Sequence, residues 1–296
     1  MYKFEKDGVT YLNNARGVPF NLGDELCSPF LYYRIHAAPA CSGQVLVVGG
    51  GAFETHQSAL ADEYHYRITW AVGNSASIDR GIKGFLSRRR RRRRIEEQTF
   101  PIHETAFLSS RDLGTSEEFV PCPSCHHPIA EVARGDRIGL VLNANPRVSG
   151  NVERIFAEVK ARHPDVLCLT NEASVQDLRA LMQKTDRIIT NSYHITYWSL
   201  LSGGKVRVLS YSSKLASVLD IFGVGDQTVR FEKGSATSLL KTVVAALEAP
   251  RWLAIDDSEG TRTRFRRLNA AFASRIESSI PGLSIVLREE SLDELP

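Results

Sequence analysis

The second half of the chain alternates short apolar runs with segments whose apolar residues recur at helical spacing. Residues 138–143 are such a run and predict a strand. In the segment that follows, with Asn151 as an N-terminal cap, four apolar residues share one helix face: Val152, Ile155, Phe156 and Val159. Strands separated by helices of this length favour a parallel sheet with right-handed crossover connections. The sequence therefore predicts an α/β fold.

The same alternation continues towards the C-terminus. Ser174 and Asp177 have the spacing of a capping box and predict the start of another helix. Gly203-Gly204 closes a predicted helix over residues 194–201. The remaining apolar pattern predicts three strands and two closing helices: strands at 166–170, 187–190 and 206–209, and helices at 235–247 and 261–280.

The first half of the chain shows the alternation less clearly. We expect a helix over residues 24–35, and we expect strands at 44–48, at 67–72 and near 105–108. These elements predict two doubly wound halves that face each other across a cleft. The join is expected between Ile129 and Asp136, which gives domains of residues 1–132 and 133–296.

Composition limits the classes of function. A chain of 296 residues, 43% of them hydrophobic, can bury a full core, and its net charge of only +3 argues against nucleic acid as a partner. The N-terminus lacks the apolar segment of a signal peptide, and no apolar stretch approaches the ~20 residues of a membrane span. We therefore expect a cytosolic protein. Five irregularly spaced cysteines fit reduced thiols better than a disulfide framework.

The first polar motif is Asn21-Leu22-Gly23-Asp24, placed just before a predicted helix. Taken alone it reads as a helix cap, because aspartate caps helices often and Gly-Asp is a common turn. The second motif, Gly49-Gly50-Gly51, follows an apolar run and would let the backbone approach a ligand. It lacks the full glycine fingerprint of a nicotinamide-binding loop, so we discount NAD.

Two further motifs follow predicted strands. Ser110-Arg111-Asp112 carries a guanidinium, whose planar fork suits two-point binding of a phosphate or a carboxylate, although an exposed Arg-Asp pair is usually a solvated ion pair. Asn191-Ser192-Tyr193-His194 lies where a strand end meets a helix start, and there backbone N–H groups and the helix dipole favour an anion. Ser213-Lys214 follows the next strand, and parallel topology would bring Lys214 close to His194.

The segment Cys122-Pro123-Ser124-Cys125-His126-His127 admits two other interpretations. It has the spacing of a c-type haem attachment site, but that chemistry belongs to exported proteins. It also has half the ligands of a zinc site, and no second pair of histidines or cysteines follows at ligand spacing. We expect no metal here.

In this order the motifs resemble those of the polysaccharide pyruvyltransferase family, over roughly residues 21–214. The resemblance implies an architecture like that of B-type glycosyltransferases, in which two Rossmann-like domains face a cleft. The N-terminal domain would take the acceptor and the C-terminal domain the donor. It also implies a reaction in which phosphoenolpyruvate transfers its three-carbon unit to two hydroxyls of a sugar as a ketal and releases phosphate. That chemistry needs an acid, a base and clamped anionic groups, but no metal or redox cofactor.

The resemblance also assigns roles to residues of this chain. His194 matches the family's histidine and is the expected general acid, and Asp24 is the expected base or orienting group on the acceptor side. Donor binding is expected from four residues: Arg111, Lys214, Ser192 and Ser213. The expected cleft lining comprises six residues: Asn21, Gly50, Gly51, Asn74, Ser124 and His126. The sequence departs from the family at Ser192, where many members carry arginine.

Seven consecutive arginines run from Arg88 to Arg94. A solvated charge run is one interpretation. The other is peripheral contact with an anionic membrane, since acceptors in this family are commonly oligosaccharides on lipid diphosphate and each basic residue contributes about 1 kcal/mol near such a surface. RNA binding is disfavoured because aromatic residues are not interleaved with the arginines.

Two other functions remain open on the sequence. A nucleotide-sugar glycosyltransferase would share the architecture but not the donor. A non-catalytic subunit would recruit a polysaccharide assembly to the membrane through the arginine tract. Neither alternative is excluded by the motifs alone, which are weak individually and gain weight from their shared order.

Overall fold

A computed structural model describes residues 2–13, 21–49, 64–73, 106–114, 117–225 and 227–288. Within these ranges the chain forms two sheets built mainly from parallel strands, together with helices and one small antiparallel pair. The α/β fold class predicted from the sequence is confirmed. None of the described helices is both long and apolar enough to cross a membrane.

The first sheet belongs to the N-terminal half. It has the order β1-β2-β4-β5-β6-β7, and all its pairs are parallel except β1 with β2. Its strands are β1 (Tyr2–Lys6), β2 (Val9–Asn13), β4 (Val45–Gly49), β5 (Tyr66–Val72), β6 (Ala106–Ser110) and β7 (Glu118–Phe119). All five residues of β4 are buried, as expected for the inner strand of a parallel sheet.

The second sheet belongs to the C-terminal half and is entirely parallel, with the order β12-β11-β10-β8-β9. Its strands are β8 (Arg137–Leu142), β9 (Leu167–Thr170), β10 (Thr185–Thr190), β11 (Lys205–Ser210) and β12 (Val229–Arg230). The four strands predicted for this half match β8 to β11, and every predicted end lies within two residues of the observed end. Strand β12 was not predicted, because two exposed residues carry no apolar pattern.

Most helices of the C-terminal half also match their sequence signals. The helices are α2 (Pro146–Ser149), α3 (Val152–Arg162), α4 (Val175–Lys184), α5 (Tyr193–Leu201), α6 (Ser213–Asp220), α7 (Ala236–Glu248) and α8 (Ser258–Ser279), and of these α2 and α6 were not predicted. The predicted caps Asn151 and Ser174 accept backbone N–H groups of the first turns of α3 and α4. The closing helices lie at α7 and α8, each within three residues of its predicted bounds.

The helix predicted from Asp24 to Ile35 is wrong. Helix α1 ends after five residues (Leu22–Leu26), a 3-10 turn follows (Pro29–Leu31), and the chain then enters strand β3 (Tyr33–Ala37). Proline has no N–H to continue a helix, and β3 alternates buried and exposed residues with the period of a strand. Strand β3 pairs antiparallel with β13 (Leu283–Leu287), some 250 residues later in the chain, and local sequence carries no signal of that partner.

Helix α5 lies at the centre of the molecule. All nine of its residues are buried, as in a helix that is enclosed by other elements on every side. It contacts α1, α6, α8 and strand β11. The Tyr197 hydroxyl donates to the carbonyl of Cys122 at 2.9 Å, and Trp198 Nε1 donates to Ser124 Oγ at 3.0 Å. The fold therefore fixes the position of α5 from both halves of the chain.

The C-terminal helix α8 returns to the N-terminal half. Asn269 on α8 is fully buried, and its Oδ1 accepts a hydrogen bond of 2.8 Å from Trp70 Nε1 on β5. Its amide nitrogen donates to the carbonyl of Pro121 at 3.1 Å. The largest apolar cluster contains residues from both sides of position 132. The division into domains at residues 132 and 133 stays a prediction.

We expect Asn269→Leu to lower the free energy of unfolding by about 2–4 kcal/mol, because it leaves the Trp70 N–H and the Pro121 carbonyl buried without partners. Denaturant unfolding of the purified protein measures the change. Ser274→Ala, at an exposed position of the same helix, is the matched control and should stay within about 0.5 kcal/mol of the parent. Equal stability of the two variants would contradict this role for Asn269.

Candidate functional site

The polar motifs meet where the carboxyl ends of strands from both sheets approach each other. Arg111 directly follows β6 of the first sheet, while His194 and Lys214 open the helices after β10 and β11 of the second. Ligands of open α/β sheets bind at this edge, where loops and helix starts converge. The sequence prediction that Lys214 lies near His194 agrees with the electrostatic effect of Lys214 on that residue.

Gly23 lies directly against the imidazole of His194. A methyl group added at Gly23 would be 2.8 Å from the Cβ of His194 and closer still to its Nδ1. Real side chains do not approach that closely, so glycine is required for the ring to occupy its position. The glycine of the Asn21-Leu22-Gly23-Asp24 motif and the histidine of the Tyr193-His194 motif are therefore two sides of one contact between the halves.

Arg111 lies on the other side of His194. Its Nη1 is 3.3 Å from His194 Nε2, and its guanidinium carbon is 4.1 Å from the centre of the Tyr193 ring. A methyl group at Gly73 would be 2.7 Å from Arg111 Nη2, so this position also requires glycine. Arg111 is only 5% exposed. The structure thus encloses a guanidinium between an aromatic ring, an imidazole and a glycine backbone.

The electrostatics of this cluster set the charge of each group. Burial lowers the pKa of His194 well below its usual value, and the neighbouring charges of Arg111 and Lys214 lower it further, so the imidazole is neutral. Burial disfavours the charge on Arg111, but the nearby Asp112 carboxylate favours it, and the net effect raises the pKa of Arg111. Because Arg111 can only donate, His194 Nε2 accepts and the proton is assigned to Nδ1.

Asn21 orients Asp24 and joins the two halves. Its Nδ2 donates to Asp24 Oδ2 at 2.8 Å, while its Oδ1 accepts from the Gly23 N–H and from Asn171 Nδ2, both at 3.1 Å. Asn171 follows β9 of the second sheet, and its carbonyl accepts from the Leu22 N–H at 2.9 Å. Sequence reasoning missed Asn171. Its only signal is its position directly after a predicted strand.

Asp112 connects the loop after β6 to helix α6. The Ser217 hydroxyl donates to the Asp112 carboxylate, and the Asp112 N–H donates to Ser110 Oγ at 3.1 Å. Sequence reasoning also missed Ser217, which lies one helical turn beyond Ser213 and Lys214. This contact holds the start of α6 beside Arg111.

Ser192 and Ser213 occupy the two helix starts. Ser192 is buried, and its side chain does not cap α5; its N–H donates to Thr190 Oγ1 at 3.1 Å. Ser213 is the first residue of α6. The Lys214 ammonium lies 5.5 Å from the centre of the Tyr211 ring. These residues are placed at the same edge as Arg111 and His194, as their motif positions predicted.

Ser124 and His126, predicted to line the cleft, are held in packing contacts in this structure. Ser124 is fully buried, and its hydroxyl accepts from Trp198 and lies 3.1 Å from Cys122 Sγ. His126 Nε2 lies 3.0 Å from the Tyr33 hydroxyl, and burial, with a smaller effect of Arg266, lowers its pKa to about 4. The described residues contain no group of three or more histidine, cysteine, aspartate or glutamate side chains that could hold a metal.

Part of the predicted site lies outside the described residues. This applies to Gly50, Gly51 and Asn74 of the predicted cleft lining and to the tract from Arg88 to Arg94. Comparison with protein-family models and with curated proteins gives no match for this chain. Its function must therefore be inferred from the geometry of the cluster.

The cluster combines a charged guanidinium with an imidazole that is kept neutral by burial and by two positive neighbours. An anion bound beside Arg111 and Lys214 would offset their charges and raise the pKa of His194. The arrangement can therefore bind an acid and take up a proton in the same event. The protonated imidazole of His194 can then donate this proton to a bound substrate as a general acid.

We expect Gly23→Ala to lower the free energy of unfolding by about 1–3 kcal/mol, because the added methyl group displaces the His194 ring. A double-mutant cycle measures the effect: the same change in a His194→Gly background should lose most of its penalty. Glu25→Ala, two residues along the same helix, is the control and should show no coupling to His194. An equal loss in both backgrounds would contradict the contact.

The neutral state of His194 predicts an acid sensitivity. The pKa of a histidine in an unfolded chain is near 6.5, whereas the pKa of His194 in the folded protein is lower. The stability that depends on a neutral His194 is therefore complete above pH 6.5 and is lost as the pH falls below it. Between pH 7 and 5, stability should therefore fall more steeply in the parent than in His194→Gln, by up to about 1.4 kcal/mol per pH unit. His126 is present in both proteins and cancels. Parallel pH profiles in urea unfolding would refute the assignment.

Proposed function

We propose that the protein is a ketal pyruvyltransferase that moves the three-carbon unit of phosphoenolpyruvate onto two hydroxyls of a sugar. The observation that carries the proposal is the buried contact between Arg111 and His194, packed on Gly23. The contact places the guanidinium of Arg111, which can bind an anion, directly beside the imidazole of His194, which can transfer a proton. The proposal includes two Rossmann-like domains that face a cleft, as in B-type glycosyltransferases, and the meeting of two parallel sheets at their carboxyl edges supports it.

The charge of Arg111 favours an anionic donor. Among the described residues no carboxylate forms a salt bridge with the guanidinium, and its Nε has no hydrogen-bond partner. A buried charge is stabilised when an opposite charge joins it. Lys214 adds a second positive charge within electrostatic range of His194. Phosphoenolpyruvate carries both a carboxylate and a phosphate and can satisfy two such groups.

The proposed reaction begins when the donor binds and His194 gains a proton. His194 transfers that proton to the methylene carbon of the donor, and positive charge develops on the carbon that carries the phosphate ester. A sugar hydroxyl attacks this carbon, its proton leaves to a base, and the carbon–oxygen bond to phosphate breaks. A second sugar hydroxyl then attacks the same carbon and closes the ketal ring, and its proton passes to the released phosphate.

Asp24 is the proposed base or orienting group for the acceptor. Asn21 holds its carboxylate, and Gly23, one residue earlier, touches the His194 ring, so the acceptor side and the proton donor share one short helix. Ser192 and Ser213 are proposed donor ligands at the two helix starts. The proposed acceptor is a sugar or a lipid-linked oligosaccharide of a surface polysaccharide precursor. The tract from Arg88 to Arg94 would then hold the enzyme at an anionic membrane.

The direct test measures phosphate released from phosphoenolpyruvate in the presence of polysaccharide precursors, with the product identified by mass. We expect His194→Gln to lower kcat by about 10²–10⁴-fold, the loss typical of a missing acid. His126→Gln is the matched control, because His126 contacts Tyr33 and lies among aromatic side chains rather than beside Arg111. Arg111→Ala should raise the KM for phosphoenolpyruvate about thirtyfold, equivalent to about 2 kcal/mol.

Three outcomes would contradict the proposal. Near-normal kcat in His194→Gln would remove the general acid. Hydrolysis of a nucleotide sugar with no turnover of phosphoenolpyruvate would favour a glycosyltransferase. Absence of both activities with lipid-linked acceptors would favour a non-catalytic subunit.

A further inference from the structure

Tyr193 is a buried phenol whose hydroxyl has no hydrogen-bond partner among the described residues. The residue is 2% exposed, and its oxygen finds no donor or acceptor in the part of the chain that the structure describes. A buried hydroxyl without a partner destabilises the folded state, because water would otherwise hydrogen-bond to it. Such a group therefore calls for an explanation.

Other buried tyrosines show what a structural phenol does in this protein. The Tyr32 hydroxyl donates to the Leu26 carbonyl at 2.7 Å, and the Tyr197 hydroxyl donates to the Cys122 carbonyl at 2.9 Å. Tyr33 contacts His126 at 3.0 Å. Tyr193 and Tyr197 lie one turn apart on the same helix with nearly parallel rings, so they differ in their hydroxyl partners rather than in their setting.

The unpartnered hydroxyl accompanies a second unpartnered group. Arg111 stacks on the Tyr193 ring at 4.1 Å, and the Nε of Arg111 is also buried and lacks a partner. Two buried donors without acceptors on contacting side chains point to an acceptor that the described part of the chain does not supply. The cation–π contact fixes the ring, so the hydroxyl has a defined position relative to the guanidinium.

Two helix starts at this edge lack a side-chain cap. Ser192 and Ser212 precede α5 and α6 without capping them, and the Ser212 hydroxyl is buried with no partner among the described residues. By contrast, the six other helices of the described residues are capped by the side chain before their first turn: Asn21, Asn145, Asn151, Ser174, Ser235 and Asp257. Among the described residues, three of the eight buried polar atoms without a partner lie at this edge, on Arg111, Tyr193 and Ser212.

We propose that Tyr193 is a ligand-binding residue, whose hydroxyl donates a hydrogen bond to an oxyanion of the small acid that Arg111 binds. The inference rests on the proposed function in that the acid is the carboxylate or phosphate of phosphoenolpyruvate. Burial raises the pKa of the phenol, which keeps its proton available for donation. Because both donors are enclosed, a ligand that reaches them is enclosed as well, and its charge is not screened by water.

The test compares Tyr193→Phe with Tyr197→Phe in the full-length protein. Titration calorimetry gives the affinity for phosphoenolpyruvate, pyruvate and inorganic phosphate, and thermal unfolding without ligand gives the Tm. We expect Tyr193→Phe to weaken binding of phosphoenolpyruvate about tenfold with an unchanged or higher Tm, because no hydrogen bond within the chain is lost. Tyr197→Phe should lower the Tm and leave the affinity unchanged. If Tyr193→Phe also weakens the affinity for pyruvate, the hydroxyl of Tyr193 binds the carboxylate. If it instead weakens the affinity for inorganic phosphate, the hydroxyl binds the phosphate.

Three results would overturn the inference: unchanged affinity for every probe in Tyr193→Phe, a fall in Tm equal to that of Tyr197→Phe, or no binding of any probe by the parent protein. Its failure is distinguishable from failure of the proposed function. Phosphate release from phosphoenolpyruvate with unchanged affinity in Tyr193→Phe would reject the inference and keep the function. If Tyr193→Phe weakens the binding of pyruvate or phosphate and the parent protein does not turn over phosphoenolpyruvate, the inference is kept and the proposed function is rejected.

Discussion

The contact of His194 with Gly23 on one side and Arg111 on the other is the interaction on which the rest of the site depends. It brings together the loop after β6 and helix α1, which belong to the N-terminal half, with the start of α5, which follows β10 of the second sheet. Each partner needs the absence of a side chain opposite it: the imidazole needs Gly23, and the guanidinium needs Gly73. Close approach of backbone to side chain therefore fixes the relative position of the halves more tightly than apolar packing alone would.

This arrangement has an energetic consequence. Burial of a guanidinium, of an imidazole held neutral and of a phenol without a partner among the described residues carries a desolvation penalty, since each group would be better solvated in water. Apolar burial around α5 and the hydrogen bonds of Asn269 offset that penalty. Unfavourable electrostatics in a folded protein concentrate at sites that bind or react. The same groups that reduce the stability of this protein are those to which we assign ligand binding.

The residues between positions 111 and 126 have two different roles. The segment with Cys122, Ser124 and His126 resembles a metal or cleft motif in sequence, but its side chains contact Trp198 and Tyr33. It forms part of the support for α5 and α8. Arg111 and Asp112, some ten residues earlier, lie at the meeting edge of the sheets and contact His194 and Ser217. Proximity in sequence to the site therefore does not mean membership of it.

The sequence by itself determined the α/β class, most elements of the second half and the motif positions, because strand and helix periods and capping residues are local signals. Only the tertiary structure decided that β3 is a strand, since its partner β13 lies some 250 residues away and Pro29 alone did not reveal the break. Only the tertiary structure placed Gly23 against His194 and left the Tyr193 hydroxyl without a partner among the described residues. Both depend on the distance between side chains far apart in the chain, and local patterns contain no information on that distance.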